Sequence, residues 1–208
     1  MHEMTLWQTL VAGGSVMIVI GFLSVLGLAL IIYDFIALKA DKMAPDAFLR
    51  EVSIYIARRE FKEAEALCRT KNHLMARIVL VGIQRKQKYS NPIEIREAME
   101  SKARMEISSL WQNLNYLSDI VAVSPLLGLL GTVFGMIQAF HAVPLQSAGL
   151  KTALLAAGIS KAMVATGAGL IVAIPVLMAY SYFRGQVVEI SNVVESHTTE
   201  AIRSLENL

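Results

Sequence analysis

The sequence has little cysteine and little charge. Cys68 is the single cysteine among 208 residues, so no disulfide can form within the chain. Charged residues make up 17% of the chain, hydrophobic residues make up 55%, and the mean hydropathy is +0.52. Because soluble domains usually carry about 25% charged residues, this composition excludes an ordinary soluble domain and indicates a membrane protein.

Charge is absent from two long runs and nearly absent from a third. Residues 10–33 and 120–140 contain no charged residue, and residues 152–183 contain only Lys161. A membrane-spanning helix needs about 20 apolar residues, so the sequence predicts three such helices. No Lys or Arg precedes the first run, and its apolar core is longer than that of a secretion signal. We therefore expect the first run to be an uncleaved anchor.

Positive charge is lacking before Lys39 and concentrated after it. Of the 19 Lys and Arg residues, 15 lie in the segment 39–119. Positively charged loops tend to stay in the cytoplasm, which predicts a periplasmic N-terminus and a cytoplasmic C-terminus. The predicted organisation is a periplasmic N-terminus with the first transmembrane helix (1–38), a cytoplasmic helical segment (39–119), a core formed by the second and third transmembrane helices (120–183) and a cytoplasmic C-terminal helix (184–208).

Helix start signals divide the cytoplasmic segment. Pro45 and Asp46 can open one helix, a second helix is predicted through Phe61, and a third over residues 74–87. Asn91 can cap a fourth helix that begins at Pro92. Since no Gly or Pro lies between Pro92 and Asp119, we expect this helix to continue unbroken into the second apolar run.

The C-terminal residues repeat apolar side chains at helical spacing beyond Phe183. This pattern predicts an amphipathic helix continuous with the third apolar run. Its apolar side requires a partner, either the helix from Pro92 or a neighbouring subunit. The predicted fold class is an all-α integral membrane protein with three transmembrane helices, the second and third extended into a cytoplasmic helical bundle.

Each of the last two apolar runs carries a row of small residues that contains one threonine. Spacings of three and four place each row on one face of its helix. Small faces let helices in lipid approach closely, which predicts close packing through Gly128, Gly131, Gly135, Ala162, Gly169 and Ala173. The first row also includes Pro125, Thr132 and Ala139, and the second includes Thr166.

Close packing alone does not explain the hydroxyls of Thr132 and Thr166, because glycine and alanine suffice for a packing face. At about 1.5 Å of rise per residue, the two hydroxyls can share one depth near the middle of the bilayer. Packing of helices by hydroxyls and a role in a polar pathway both remain open at this point.

Signatures of enzyme chemistry are lacking. The four histidines are scattered without the spacing of a metal site, and no Gly-Lys-Ser/Thr phosphate loop occurs. Basic and acidic residues alternate in the cytoplasmic segment, which is typical of a solvated helical surface and does not favour nucleic-acid binding. The sequence thus predicts no enzyme, no cofactor and no metal.

Two motifs in the small-residue rows resemble a known family. Residues 128–135 read GLLGTVFG, and residues 158–175 read GISKAMVATGAGLIVAIP. These motifs resemble those of the ExbB/TolQ/MotA proton-channel family of the inner membrane, on the ExbB/TolQ side, and the order of helices agrees along the whole chain.

The resemblance implies a pentamer that surrounds the transmembrane helices of an ExbD/TolR-like single-span partner. Such a complex uses the proton-motive force to energise transport or envelope work, with a TonB/TolA-like protein as a further partner. The resemblance also implies that Thr132 and Thr166 line the central ion pathway, in a channel core formed by residues 120–183, and that the titrating aspartate belongs to the partner.

Lys161 departs from the family pattern, which usually has glutamate at this position. Five residues of helix place it about 140° from Thr166, off the small face. A lysine near the centre of a span costs about 2.5 to 3.5 kcal/mol on insertion scales, so it requires a water route or an acidic partner. Two roles remain open, a lysine that extends to the interface or a subunit contact, and a charge partner of a carboxylate.

Three other functions fit the sequence. A MotA-like stator for motility is the nearest, although the cytoplasmic segment is short for it. A non-conducting membrane scaffold would explain the packing faces alone. A self-sufficient channel is disfavoured, since the three apolar runs contain no acidic residue. The sequence leaves open whether the ion is a proton or sodium.

Overall fold

The computed structural model describes residues 14–38, 43–71, 73–88, 91–141 and 148–206, with side chains except at 148–154 and 161. Their regular secondary structure is helical: α1 (Ser15–Ala37), α2 (Asp46–Ala57), α3 (Phe61–Thr70), α4 (Leu74–Lys88), α5 (Pro92–His141) and α6 (Ala148–Glu206). Within these residues, α1, α5 and α6 are long and apolar enough to cross a membrane. The predicted all-α membrane fold with three spanning helices is confirmed.

The start of the first apolar run and the turn around Pro144 lie outside the described residues. The described part of that run is helical from Ser15, and α1 continues beyond Tyr33 to Ala37. It therefore includes Asp34, whose side chain is buried and whose Oδ2 has no hydrogen-bond partner among the residues given side chains.

The chain divides into two compact units. The membrane unit comprises the described residues up to Tyr33 and those from Asn115 to Ser181, and the charged unit comprises the described residues from Asp34 to Leu114 and from Tyr182 onward. Helices α5 and α6 each contribute to both units.

Local signals in the sequence set the ends of the short helices. Helix α2 follows Pro45 and has Asp46 in its first turn, where an acidic group favours the positive end of the helix. It ends where Arg59 adopts a φ of 61°, and the Glu60 amide donates to the Tyr55 carbonyl at 3.0 Å. This left-handed residue turns the chain into α3.

The two long helices are continuous. The lack of Gly and Pro between Pro92 and Asp119 predicted this for α5, and the apolar repeat beyond Phe183 predicted it for α6. Asn91 caps α5, because its Oδ1 accepts a hydrogen bond from the Ile93 amide at 3.1 Å. Helix α5 then runs for 50 residues and α6 for 59 residues, with Pro125 and Pro175 inside them.

The apolar side of the α6 tail is buried within the charged unit. Its buried residues are Val187, Ile190, Val194, Ala201 and Leu205. A methyl group placed on Gly82 of α4 would contact Met99 of α5 and would lie 2.9 Å from Leu205 of α6. Leu205 of the tail therefore lies beside α4. Of the two partners left open by the sequence, the helix from Pro92 is one that the tail contacts, through Arg96 and Glu206.

An ion pair also joins the beginning of α5 to the end of α6. Arg96 Nη2 donates to both carboxylate oxygens of Glu206 at 2.8 Å, and Arg96 Nε donates to Oε1 at 3.1 Å. Such a two-pronged pair fixes orientation as well as distance. It therefore helps to set the register of the tail against α5.

Candidate functional site

Helices α5 and α6 touch through their backbones in the membrane unit. A methyl group placed on Gly128 would lie 2.9 Å from the Ala165 carbonyl oxygen and 2.9 Å from Thr166 Cα. One placed on Gly169 would lie 2.5 Å from the Ser124 carbonyl oxygen and 3.3 Å from Gly128 Cα. Only a hydrogen atom fits at Gly128 and Gly169, so these glycines allow the two main chains to meet.

The contact continues toward the other end of the two spans. A methyl group on Gly131 would lie 2.5 Å from Ala165 Cβ, and one on Gly135 would lie 2.8 Å from Ala162 Cβ. At the far end, a methyl group on Gly158 would contact Ala139. From Ser124 to Ala139 this is about 22 Å of helix, most of the thickness of a bilayer core.

The structure brings together most of the small residues identified in the sequence. Five of the six residues assigned to close packing form this contact: Gly128, Gly131, Gly135, Ala162 and Gly169. The sixth, Ala173, is buried in the same unit, and Pro125 is half-buried.

Sequence reasoning missed three residues of the contact, Ser124, Gly158 and Ala165. Gly158 stands four residues before Ala162 and extends the same helical row. That spacing was a usable signal for Gly158.

Helix α1 packs on the same pair of helices. Val16, Met17 and Ile20 form a buried cluster with Ala165. Further along α1, a methyl group on Gly27 would lie 3.1 Å from Val176 of α6. The membrane unit is thus a three-helix arrangement in which α1 supports the glycine contact.

The two threonines bond to carbonyl oxygens in different ways. The Thr166 hydroxyl donates across the contact to the Gly128 carbonyl oxygen at 3.1 Å. The Thr132 hydroxyl donates to the Leu129 carbonyl oxygen of its own helix at 2.6 Å. Both residues are half-buried, and each hydroxyl has a carbonyl oxygen as its hydrogen-bond acceptor.

Lys161 lies in the backbone of α6 beside the contact, but its side chain is outside the described residues. The neighbouring Ala162 is buried against α5, whereas Ser160 is exposed. The charge-partner role of Lys161 therefore stays a prediction.

Comparison with known proteins places this contact inside a recognised family. The sequence profile of the family described as "MotA/TolQ/ExbB proton channel family" matches residues 70–196, which is more than half of the chain. The matched region contains both glycine motifs and all the residues of the glycine contact between α5 and α6 in the membrane unit.

Relatives with curated names agree with the profile. The Tol-Pal system protein TolQ of Haemophilus influenzae is 42% identical over 87 residues, which cover 40% of this chain and 36% of the relative. Biopolymer transport protein ExbB of Salmonella typhimurium is 40% identical over 72 residues, which cover 35% of this chain and 29% of the relative. A putative ExbB-like biopolymer transport protein of Synechocystis is 29% identical over 175 residues, which cover 81% of this chain and 66% of the relative.

The chain spans about a third to a half of the length of most of the curated relatives that it resembles. The profile match nevertheless covers most of this chain, including two of the three helices that can cross a membrane. This multi-pass membrane protein therefore belongs to the MotA/TolQ/ExbB proton channel family.

Proposed function

We propose that this protein is a subunit of an inner-membrane motor complex driven by the proton-motive force. It conducts protons together with an ExbD/TolR-like single-span partner and so energises transport or envelope work, with a TonB/TolA-like protein as the recipient. In this proposal several copies, five by family analogy, surround the transmembrane helices of the partner. Their N-termini are periplasmic and their C-termini cytoplasmic.

The observation that supports this proposal best is the placement of two hydroxyls in an otherwise apolar helix pair. Thr132 and Thr166 are half-buried beside the α5–α6 backbone contact, and each hydroxyl donates its hydrogen to a carbonyl oxygen. Each hydroxyl oxygen also has lone pairs, which can accept a hydrogen bond from water or from a protonated carboxyl group. We therefore assign Thr132 and Thr166 to the ion pathway, with the glycine contact holding them in place.

We expect that replacing both threonines by valine will strongly reduce proton flux. Valine keeps the shape of threonine and removes the hydroxyl, so each change removes one polar contact along the path. A contact worth about 1.4 kcal/mol in the rate-limiting step corresponds to about tenfold in rate. The measurement is proton flux into liposomes that contain the full chain and its partner, with Thr132→Val, Thr166→Val and the double variant.

Thr70→Val is the matched control for this experiment. The Thr70 hydroxyl donates to the Leu67 carbonyl oxygen at 2.8 Å, three residues back in its own helix, as Thr132 does to Leu129. It lies in α3 of the charged unit, so its loss leaves the flux unchanged. Wild-type flux in an assembled double-valine complex would remove both threonines from the pathway.

Lys161 is proposed as a charge partner for an acidic group of the complex. A cation in an apolar span is retained only where a partner or water offsets its desolvation cost. We expect Lys161→Met to lower proton flux without preventing assembly, as measured by flux and by native mass of the complex. Unchanged flux in an intact complex would limit Lys161 to an interfacial or structural role.

A non-conducting scaffold is the second candidate function. The hydrogen bond from Thr166 to the Gly128 carbonyl favours it, because a hydroxyl that only joins two helices would make the same bond. The flux measurement separates the two functions. If the protein is a scaffold, vesicles that contain the assembled wild-type complex will show no more proton flux than empty vesicles.

A further inference from the structure

We infer that the imidazole of His73 is an acid-sensitive cap of helix α4, and that its protonation loosens the start of α4, where this helix is linked to α5. The inference concerns the charged unit and goes beyond the proposed function, because it holds whether or not the complex conducts protons. In the proposed function this unit is cytoplasmic, so the signal that opens the cap is a fall in cytoplasmic pH.

His73 occupies the position that caps the beginning of α4. It directly precedes Leu74, the first residue of the helix, and its carbonyl oxygen accepts a hydrogen bond from the Arg77 amide at 3.4 Å. Its Nδ1 accepts a second one, from the Ala76 amide at 3.1 Å. A side chain that precedes a helix and accepts from the third helical amide is an N-cap. Ser, Thr, Asp and Asn are the usual residues there, whereas histidine titrates near neutral pH.

The first turn of α4 depends on this bond. The first amides of a helix have no acceptor within the helix, and a buried amide without a partner is costly. Ala76 is fully buried, as is Met75, and Leu74 is 2% exposed, so water cannot easily replace the imidazole. We therefore expect the first turn to open when the cap is lost.

Protonation removes the acceptor. A neutral imidazole has one nitrogen that accepts a hydrogen bond, whereas a protonated imidazole has two N–H donors and no acceptor. An N–H at Nδ1 of His73 would then face the N–H of Ala76. The added positive charge would also lie at the positive end of the helix dipole, and the first turn of α4 contains no acidic residue to offset it.

The surroundings of His73 favour its neutral form. Burial, and then the positive charges of Lys71 and Arg77, hold the pKa of the His73 imidazole below its ordinary value of 6.5. The unfolded chain therefore binds this proton more readily than the folded chain. The stability that the cap contributes is full above about pH 6.5 and is lost as the pH falls through the folded-state pKa.

Helix α2 holds the imidazole in place. The rings of Phe48 and His73 pack edge to face, with centroids 4.4 Å apart. Phe48 is buried, so the cap is set where α2 meets the start of α4. The charged group of α2 near this contact, Asp46, has its ion pair with His197 of α6, at 3.0 Å.

The link from α4 to α5 begins one residue after the capped amide. The Arg77 guanidinium donates to Glu106 of α5 at 2.7 Å, and the pKa of the Glu106 carboxyl is held below 4.5 by the hydrogen bond from Arg77 and then that from Lys102. Lysine and arginine side chains stay charged between about pH 7.5 and 5.5. Acid in this range thus leaves the charges of the link in place and acts on the cap beside it.

Hydrogen–deuterium exchange of the full chain in detergent tests the inference. Peptides that cover residues 74–80 are followed by mass spectrometry at about pH 7.5 and 5.5, with exchange times matched to the intrinsic rate at each pH. We expect wild type to exchange about fivefold faster at the lower pH, relative to that intrinsic rate, because this factor corresponds to the loss of one helix cap. His73→Asn keeps an acceptor that does not titrate, so its exchange should be slow at both pH values. His73→Ala should exchange fast at both.

His197→Asn is the matched control, since it removes a histidine from the same unit. His197 Nε2 can donate to the Asp46 carboxylate in either protonation state, so this variant should keep the wild-type response of α4. Equal protection of wild type at the two pH values would overturn the inference, and so would a response that persists in His73→Asn or disappears in His197→Asn. If His73→Ala does not fold, His73→Asn decides, because it retains the cap.

Discussion

Gly169→Ala will destabilise the membrane unit strongly, and Gly167→Ala will not. The added methyl group at Gly169 would lie 2.5 Å from the Ser124 carbonyl oxygen, which is backbone and cannot rotate away. Helices α5 and α6 must then separate, and overpacking of this kind costs about 1–3 kcal/mol, occasionally more. The separation also weakens the Thr166–Gly128 hydrogen bond, so we expect proton flux to fall together with the unfolding temperature of the protein in detergent.

Gly167→Ala is the control, because it changes the same residue type two positions away in the same helix. A methyl group at Gly167 meets no atom within 4 Å. The change should leave stability equal or raise it by up to about 1 kcal/mol, since alanine favours a helix interior more than glycine does. Equal unfolding temperatures for the two variants would show that the close α5–α6 contact is not formed in the protein.

The sequence predicted the helices well because their signals are local. The start of α5 follows from a local signal that includes Asn91 and Pro92, and its continuity follows from the absence of Gly and Pro up to Asp119. The three spans follow from the absence of charge, which is a property of each run by itself. Neither kind of signal requires knowledge of where another helix lies.

Contacts between helices were less accessible to sequence reasoning. Spacing places Thr132 and Thr166 in equivalent rows, yet Thr166 bonds across the helix pair and Thr132 bonds within α5. The difference arises from where the helices cross, which selects Gly128 as the residue opposite Thr166. A row of small residues identifies a face but not its register against the partner helix.

In the charged unit, ion pairs around Glu106 join α4 to α5. The Arg77 guanidinium donates to both oxygens of Glu106, at 2.9 and 2.7 Å, and Lys102 Nζ lies 2.8 Å from Oε1. The Glu106 side chain is only 11% exposed. The hydrogen bonds from Arg77, and then those from Lys102, hold the pKa of the Glu106 carboxyl below its ordinary value of 4.5.

Glu106→Gln will therefore lower the free energy of unfolding near neutral pH. The amide keeps the shape of the side chain but removes the negative charge that pairs with Arg77 and Lys102. A hydrogen bond to a charged group contributes about 1.5–3 kcal/mol to the stability of a protein. Because the exchange leaves one oxygen as an acceptor, we expect a cost of about 1–2 kcal/mol. Guanidinium unfolding of the purified full chain in detergent measures it.

The pH dependence of this cost has a definite sign. A carboxyl whose pKa is lower in the folded state stabilises the fold above its unfolded-state pKa, and this contribution disappears as the pH falls through the folded-state pKa. The difference between wild type and Glu106→Gln should thus be full at pH 7 and shrink below about pH 4.5. Glu100→Gln is the matched control on the same helix, because its pair with Arg104 is 3.6 Å long and exposed, and exposed pairs contribute at most about 1 kcal/mol. A cost at Glu106 that equals the one at Glu100, or that does not change with pH, would contradict the assignment of this network as the link between α4 and α5.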